Sequence, residues 1–578
     1  MLRIPNKTLD DNYLLEDFQH DFNFLFESLT AVSTDAKTFG ISGLASTDDT
    51  DKIQEFLNLT GNLYFPEGTY NLSKKLVVKS NTTITAHPNA VFIRKHAETM
   101  IETETTESTT KYNGACNIKF LGGVYKHDGN KGYANVFTPF HAKDILFEGV
   151  TVLNTCGSHS IDIVGCKNVK IINCNFRGYI VDTANSFREI IQIDAAHSKG
   201  YPIYDSTAAA YDGQASEDIF IQGCVFEDSA SSNAPINCIG QHGQIAQSSR
   251  HKNIQIINNV MKGSTSSVGS YGFAIRLMQM ENVIIEGNTI SGFVRGIFAD
   301  ISEKVIDKNG NELRGSNTSY PNATDENTYY LGNKNVTIAN NIIVPDKYKS
   351  AYPGIYININ DDVKESAGAP TKCPKHRGFN ITGNTIYLPY TNSVTKQYGI
   401  YTETIEHSFI NGNQIHGTGH TAHYGIYLGD YSYYNGIGIN YCYNISATNR
   451  LIISTNRVKY NRVIGKTVLW TGTCYTTNEY IDLLYDITDF DEILVEIEWL
   501  GTNYMTMDFS TTTTQSFRGV NLVDSTTSTG YLLGEMRIKK VNTTRLQLTG
   551  NKTLNPADGA IVNDSSTYYI KAIYGVNR

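Results

Sequence analysis

The chain has 578 residues, enough for several ordinary domains or for one continuous solenoid. Only 18% of the residues are charged and the formal net charge is -9, which argues against nucleic acid as a partner, since no basic stripe is present to meet a phosphate backbone. The 37 Tyr and 48 Gly against 13 Pro and 2 Trp describe a β-rich chain with polar turns, and nine Cys without a CxxC pair argue against a closed disulfide framework. No apolar stretch reaches membrane-spanning length, and the N-terminus has no basic region followed by an apolar run. The expectation is therefore a chain made in a cytoplasm with no membrane partner.

In chain order, residues 12–30 place Leu15, Phe18, Phe22, Leu25 and Leu29 at spacings of three and four, which predicts an amphipathic helix. Residues 1–36 are accordingly expected to be a helical attachment or trimerisation segment. Thr47, Asp48 and Asp49 offer capping side chains to a short helix whose apolar face is Ile53, Phe56 and Leu57, with Gly61 as a stop. Strands follow at 63–72, 76–78 and 90–93.

From Ile118 onward one unit recurs: apolar-x-apolar-x-x-(Asn, Cys or small)-x-apolar. Its copies include Ile145/Phe147/Val150/Val152, Val169/Ile171/Cys174/Phe176, Val283/Ile285/Asn288/Ile290 and Phe379/Ile381/Asn384/Ile386. Alternation turns the apolar positions inward on a strand, and the Asn falls where the chain bends, its amide free to bond to the coils above and below. The closest copies lie 24 to 29 residues apart, about one turn of a β-helix, and the longer intervals imply lateral insertions. Cys174 and Cys224 take the Asn position and are expected to be stacked core thiols. The fold class is therefore all-β: a right-handed parallel β-helix over 37–464. Beyond residue 464 the pattern changes to TVLWTG, EILVEIEWL and LLGEMRIKKV, which predicts a separate β-sandwich over 465–578.

The candidate chemistry lies between the third and later copies. In IIQID, Ile191 and Ile193 are expected inward and Gln192 and Asp194 outward, with Glu189 at the preceding bend. One coil earlier Asp162 is outward and His159 is at the corresponding bend. Later coils supply Asn237, His242, Arg276 and Asp300, and the insertion supplies His197 and Asp212. Outward residues on successive coils stack about 4.8 Å apart, so these side chains form one file. Glycan cleavage needs one carboxyl to protonate the leaving oxygen and another to activate water or attack the sugar. Glu189 and Asp194 are the expected catalytic pair, assisted by His159 and His242. Asp162, Gln192, His197, Asp212, Asn237, Arg276 and Asp300 are expected to bind substrate, with Arg276 holding an acidic substituent.

The order DDT-helix-FPEGTY-strand, continued by the repeats, resembles the pectate-lyase-like β-helix proteins that include many phage tailspikes. Within it, the segment from His159 to Leu277 is similar to the polygalacturonase core: SHSIDI stands where that family has Asn-Thr-Asp-Gly, RE before IIQI where it has paired aspartates, and IGQHG and IRL near its later motifs. The departures are His159 and the pair Arg188 and Glu189, where the family carries Asp. The resemblance implies a homotrimeric tailspike in the virion tail that acts outside the cell. Its N-terminus would join other tail proteins, and it would bind and depolymerise a host capsule polysaccharide or teichoic-acid-like polymer. No cofactor is expected for hydrolysis. A polysaccharide lyase is the second enzyme class, with Ca²⁺ on Asp162 or Asp194 in that case, and a receptor-binding spike that never cuts is the third reading.

Overall fold

In the computed structural model the described residues are 33–577 apart from 129–131, 133, 181–188, 242–243, 246–249, 264–271, 302–304, 307–331, 347–352, 359–374, 390–395, 447–448, 454–461, 464, 485, 491, 499–501, 508–513, 526–527, 556–559 and 564–568. The helix expected at 12–30, the Arg188 of the RE pair and His242 lie outside the described residues. By internal packing the chain divides into two units, Met1–Pro374 with Thr391–Thr395, and Lys375–Tyr390 with Lys396–Arg578.

The first unit begins with the helix Thr50–Leu57, which buries Ile53, Phe56 and Leu57 as its spacing requires. Its cap differs in detail from expectation. Asp48 accepts from the Thr50 amide at 3.0 Å, whereas the Asp49 carboxylate turns back to the amides of Ser42 and Gly43 and so ties the preceding loop instead.

Right-handed parallel β-helix coils follow, and their register is the one the repeat dictates. Ile118, Ile145, Val169, Ile219, Ile254, Val283 and Val336 are matched coil to coil in parallel pairings. Beyond the bend, Tyr125, Val152, Phe176, Phe226, Met261, Ile290 and Ile343 form a second column. Every one of these side chains is buried, each contributing about 1.5–3 kcal/mol if fully removed from water.

The bend between the columns has a two-residue grammar. Its first residue is left-handed, either Asn (Asn173, Asn258, Asn340) or Gly (Gly223, Gly287), the types that tolerate positive φ. Its second residue is the ladder. Asn259 donates through Nδ2 to Asn288 Oδ1 at 3.0 Å, and Asn288 does the same to Asn341 at 2.9 Å. Each Oδ1 also accepts the backbone amide of the coil before it. Cys174 and Cys224 occupy this position as fully buried thiols, and burial pushes the Cys174 thiol well above its ordinary value.

A third set of strands in the first unit completes each coil: Leu76–Val78, Ile101–Thr103, Phe137–Thr138, Ile161–Val164, Glu189–Asp194, Asn237–Gly240, Phe273–Met278, Arg295–Asp300 and Ile355–Ile357. They run parallel with Ile161, Ile191, Ile239, Ile275, Ile297 and Ile355 in one inward column.

The second unit carries its own coils, with Ile381, Ile410 and Ile437 in register and an Asn384–Asn413–Asn440 ladder. Beyond them the chain is antiparallel. One sheet contains Gly465–Cys474, Tyr569–Asn577, Glu492–Glu498 and Thr502–Met507; another contains Tyr480–Asp482, Arg545–Asn555, Ser528–Asn542 and Thr514–Ser525. Leu469, Val495, Ile497 and Ile573 of the first sheet share one core with Ile538, Leu546 and Leu548 of the second, which makes the pair a sandwich.

Candidate functional site

Because the third strands are in parallel register, every second residue faces away from the coil interior and stands beside its counterpart on the next coil. One such file reads Glu102, Thr138, Asp162, Gln192, Gly240, Arg276, Phe298 and Tyr356. Two residues further along the same strands, Asp194 and Asp300 lie in a parallel row with Val164 and Met278. The expected outward placement of Asp162, Gln192, Asp194, Arg276 and Asp300 is therefore the placement found.

Outward does not mean exposed. Asp162, Gln192 and Asp194 retain only 1–3% of their accessible surface, because the segment after Asp194 folds back over them. Tyr201 and Tyr211 of that segment join Phe140, Val164 and Ala196 in a small apolar cluster. Its return is pinned where His141 Nε2 meets the Ala210 carbonyl at 2.6 Å and where Asp212 accepts the amides of Lys111 and Gln214 at 2.8 and 2.9 Å. Asp212 thus holds two turns together and stands apart from the file.

Beneath this cover each of the two carboxylates meets a donor. Asp162 accepts from Asn135 Nδ2 at 2.9 Å. Asp194 accepts from Gln192 Nε2 at 2.6 Å, from the Ala195 amide at 2.8 Å and from His197 Nε2 at 3.3 Å. His197 Nδ1 accepts the Gly200 amide at 3.0 Å, which leaves the proton on Nε2 and fixes the tautomer that donates to Asp194. A side chain at Gly200 would start 2.6 Å from Asp194 Oδ2 and 2.7 Å from His197 Nε2, so only glycine lets the backbone come this close. The Gln192 Oε1 atom is buried without a donor among the described residues.

Three expected residues are placed differently. The strand begins at Glu189, so alternation puts Glu189 on the inward side with Ile191 and Ile193, fully buried. His159 and Asn237 share this inner row. His159 Nδ1 bonds to the Glu189 carbonyl at 2.6 Å, and Asn237 Oδ1 accepts the Phe273 amide at 3.1 Å. Reading Glu189 as a bend residue misses the one-residue extension of the strand.

Other residues enter the site that the repeat pattern did not reveal. Glu102 lies in the file two coils before Asp162 and pairs with Lys75 at 3.0 Å. The Tyr201 phenol faces it, and burial, with the Glu102 charge second, pushes that phenol's ionisation upward. Asn135, which bonds both Asp162 and Thr138, belongs to the same network. Among the described residues no group of three or more His, Cys, Asp or Glu is placed to hold a metal ion.

The far end of the file has a different chemistry. Arg276 donates from Nη2 to Asp300 Oδ2 at 2.6 Å. Its guanidinium lies over the rings of Phe273 and Phe298, at 5.7 and 5.4 Å. Arg295 covers Phe298 and Tyr356, the two rings stack at 5.3 Å, and the Tyr356 hydroxyl accepts from Asn358. Phe298, Tyr356 and Arg276 are half-buried. Between the two ends sits Gly240, where a Cβ would come within 3.0 Å of Arg276 Cβ and 3.2 Å of the Phe273 ring, so Arg276 and Phe273 pack closely over the backbone at this coil.

No family model matches the chain. Plasmin and fibronectin-binding protein A of Streptococcus pneumoniae (strain ATCC BAA-255 / R6) is 27% identical over 348 residues, 54% of this chain and 45% of that protein. The chain therefore spans less than half the length of this curated relative. Crystal structures of the S. pneumoniae surface adhesin PfbA superpose with TM-scores of 0.54 and 0.52 at 22% identity, covering 75% and 74% of this chain and 92% and 99% of theirs. A tailspike protein of an E. coli bacteriophage, solved with a pentasaccharide, has a TM-score of 0.45 at 9% identity over 95% of this chain. Likeness at these identities is a likeness of fold, and the fold this chain shares with the adhesin is the parallel β-helix.

Proposed function

We propose that the protein is an extracellular, polymer-binding β-helix of the tailspike or surface-adhesin kind that seats an acidic cell-surface glycan on the Arg276–Phe298–Tyr356 end of the outward file. The observation that supports this reading most is the half-buried guanidinium held over two phenyl rings, beside a stacked Phe–Tyr pair. Flat aromatic faces suit sugar rings, and a preoriented guanidinium suits a carboxylate or phosphate substituent. Assembly as a trimer in a phage tail belongs to the same reading.

A second reading, cleavage of the bound polymer, is favoured by the two acids on adjacent coils, Asp162 and Asp194. Asp194 is oriented by Gln192 and by a His197 of fixed tautomer, an arrangement that positions a carboxylate for acid/base work. Cleavage requires the segment around Tyr201 to lift, because both acids lie beneath it.

Incubation of the full chain and its Asp194→Asn variant with purified wall and capsule polymers, and in parallel with fibronectin and plasmin, followed by pull-down and mass spectrometry of released fragments, tests both readings. Retention of an acidic polymer without fragments supports binding alone. Fragments that vanish in Asp194→Asn add cleavage. Retention of fibronectin or plasmin with no polymer retained overturns the glycan reading in favour of a protein adhesin.

A further inference from the structure

In the first coils of the first unit the interior is not wholly apolar. Leu72, Arg94 and His127 are register partners on three successive coils, in the inward column that begins with the stacked Tyr70, Phe92 and Tyr125. Arg94 is fully buried and His127 is 1% exposed; His96, two residues along from Arg94, is 9% exposed.

The hydrogen bonds fix which nitrogens carry protons. His127 Nδ1 accepts the Cys156 amide at 2.9 Å and His96 Nδ1 accepts the Glu98 amide at 3.2 Å, so each neutral ring bears its proton on Nε2. Burial, reinforced by the Arg94 charge, keeps both rings neutral: His96 is pulled down to about 4 and His127 well below its ordinary value. Among the described residues the Arg94 guanidinium donates to the carbonyls of Glu98 and Gly132, at 3.1 and 2.6 Å. Among the described residues Arg94 Nε, His96 Nε2 and His127 Nε2 have no acceptor at all.

Three buried N–H donors and one buried positive charge therefore lie on adjoining coils, near enough for the Arg94 charge to act on both rings. Asp128, the acid that acts on Arg94, is itself paired with Lys95 at 3.1 Å. Cys156, whose sulfur also acts on Arg94, is a weak acceptor as a thiol. A water molecule fits this environment badly, since it accepts from two donors and must then place two protons of its own. A monovalent anion accepts from all three, places none, and cancels the buried charge.

We propose that Arg94, His96 and His127 form an internal binding site for a small monovalent anion of chloride size, which staples the first coils beneath the N-terminal cap. Crystals of the full chain grown with bromide in place of chloride test it. The expected result is an anomalous peak within hydrogen-bonding distance of Arg94 Nε and both Nε2 atoms. Water density without anomalous signal there, or bromide only on the surface as an adventitious ion, overturns the proposal.

Thermal melting gives an independent arm that needs no variant. At constant ionic strength, replacing gluconate by chloride should raise the midpoint in proportion to the logarithm of chloride above its dissociation constant. His127→Phe, which removes one donor and keeps the bulk, should reduce that slope. A wild-type midpoint indifferent to chloride, or a Cys156 titrating as a thiolate at neutral pH, contradicts it.

Discussion

The two ends of the outward file are built from the same strand register yet stand in opposite relation to water. At Asp162, Gln192 and Asp194 the side chains leave the coil only to be roofed by the segment carrying Tyr201 and Tyr211. At Arg276, Phe298 and Tyr356 they remain half-buried. Position on a β-helix thus decides direction, while the insertions between coils decide access. A carboxylate with three donors under a roof serves stability first; a guanidinium still partly open to water over its rings is, on the proposed reading, the group that meets a ligand.

This contrast can be broken most forcefully at Asp194. Asp194→Ala strips an acceptor from Gln192, the Ala195 amide and His197 together, and should cost about 3 kcal/mol of stability in denaturant melts. Loss of less than about 1 kcal/mol would mean the roof is open and the acid already solvated.

The same end should be acid-sensitive. His251 accepts the Ser216 amide at 3.0 Å, and burial, opposed by the nearby Asp194 charge, lowers it to about 4 from an unfolded value near 6.5. The folded chain therefore refuses a proton that the unfolded chain takes up. This stability is fully present above about pH 6.5 and is lost as pH falls toward 4, about 3 kcal/mol in all. His251→Asn, which keeps an acceptor for Ser216, should flatten part of that fall in melts recorded across the range.

At the other end, Arg276→Ala should weaken retention of an acidic polymer about 10- to 100-fold while moving the melting midpoint little. Isothermal titration beside a melt separates the two effects, and an equal loss of both would return Arg276 to a structural role. The smallest effect is expected at Gly240. Gly240→Ala brings a methyl within 3.0 Å of Arg276 Cβ and should lower affinity only about two- to fivefold, at about 1 kcal/mol of stability or less.

Much of this architecture was legible in the sequence because period-two alternation specifies an inward face without knowledge of the neighbours. The column from Ile118 to Val336, the Asn259–Asn288–Asn341 ladder and the thiols at Cys174 and Cys224 all follow from it. The file of Asp162, Gln192 and Arg276 was legible for the same reason. What the pattern cannot carry is tertiary cover: nothing local to Asp194 says that Tyr201 and Ala210 fold back across it. Glu102 escaped because its strand, Ile101–Thr103, precedes the first clear repeat. Glu189 differs from its expected place at the bend because one further residue of strand carries it onto the inward face. Arg94 and His127 went unnoticed because charged residues are not expected in an inward column.

The most direct test of the central claim is hydrogen–deuterium exchange on the full chain with and without a bound acidic oligosaccharide. New protection is expected to concentrate in the strands Phe273–Met278, Arg295–Asp300 and Ile355–Ile357, with little change in Glu189–Asp194. Protection confined to the sandwich strands beyond residue 464, or to none of these strands, would contradict it.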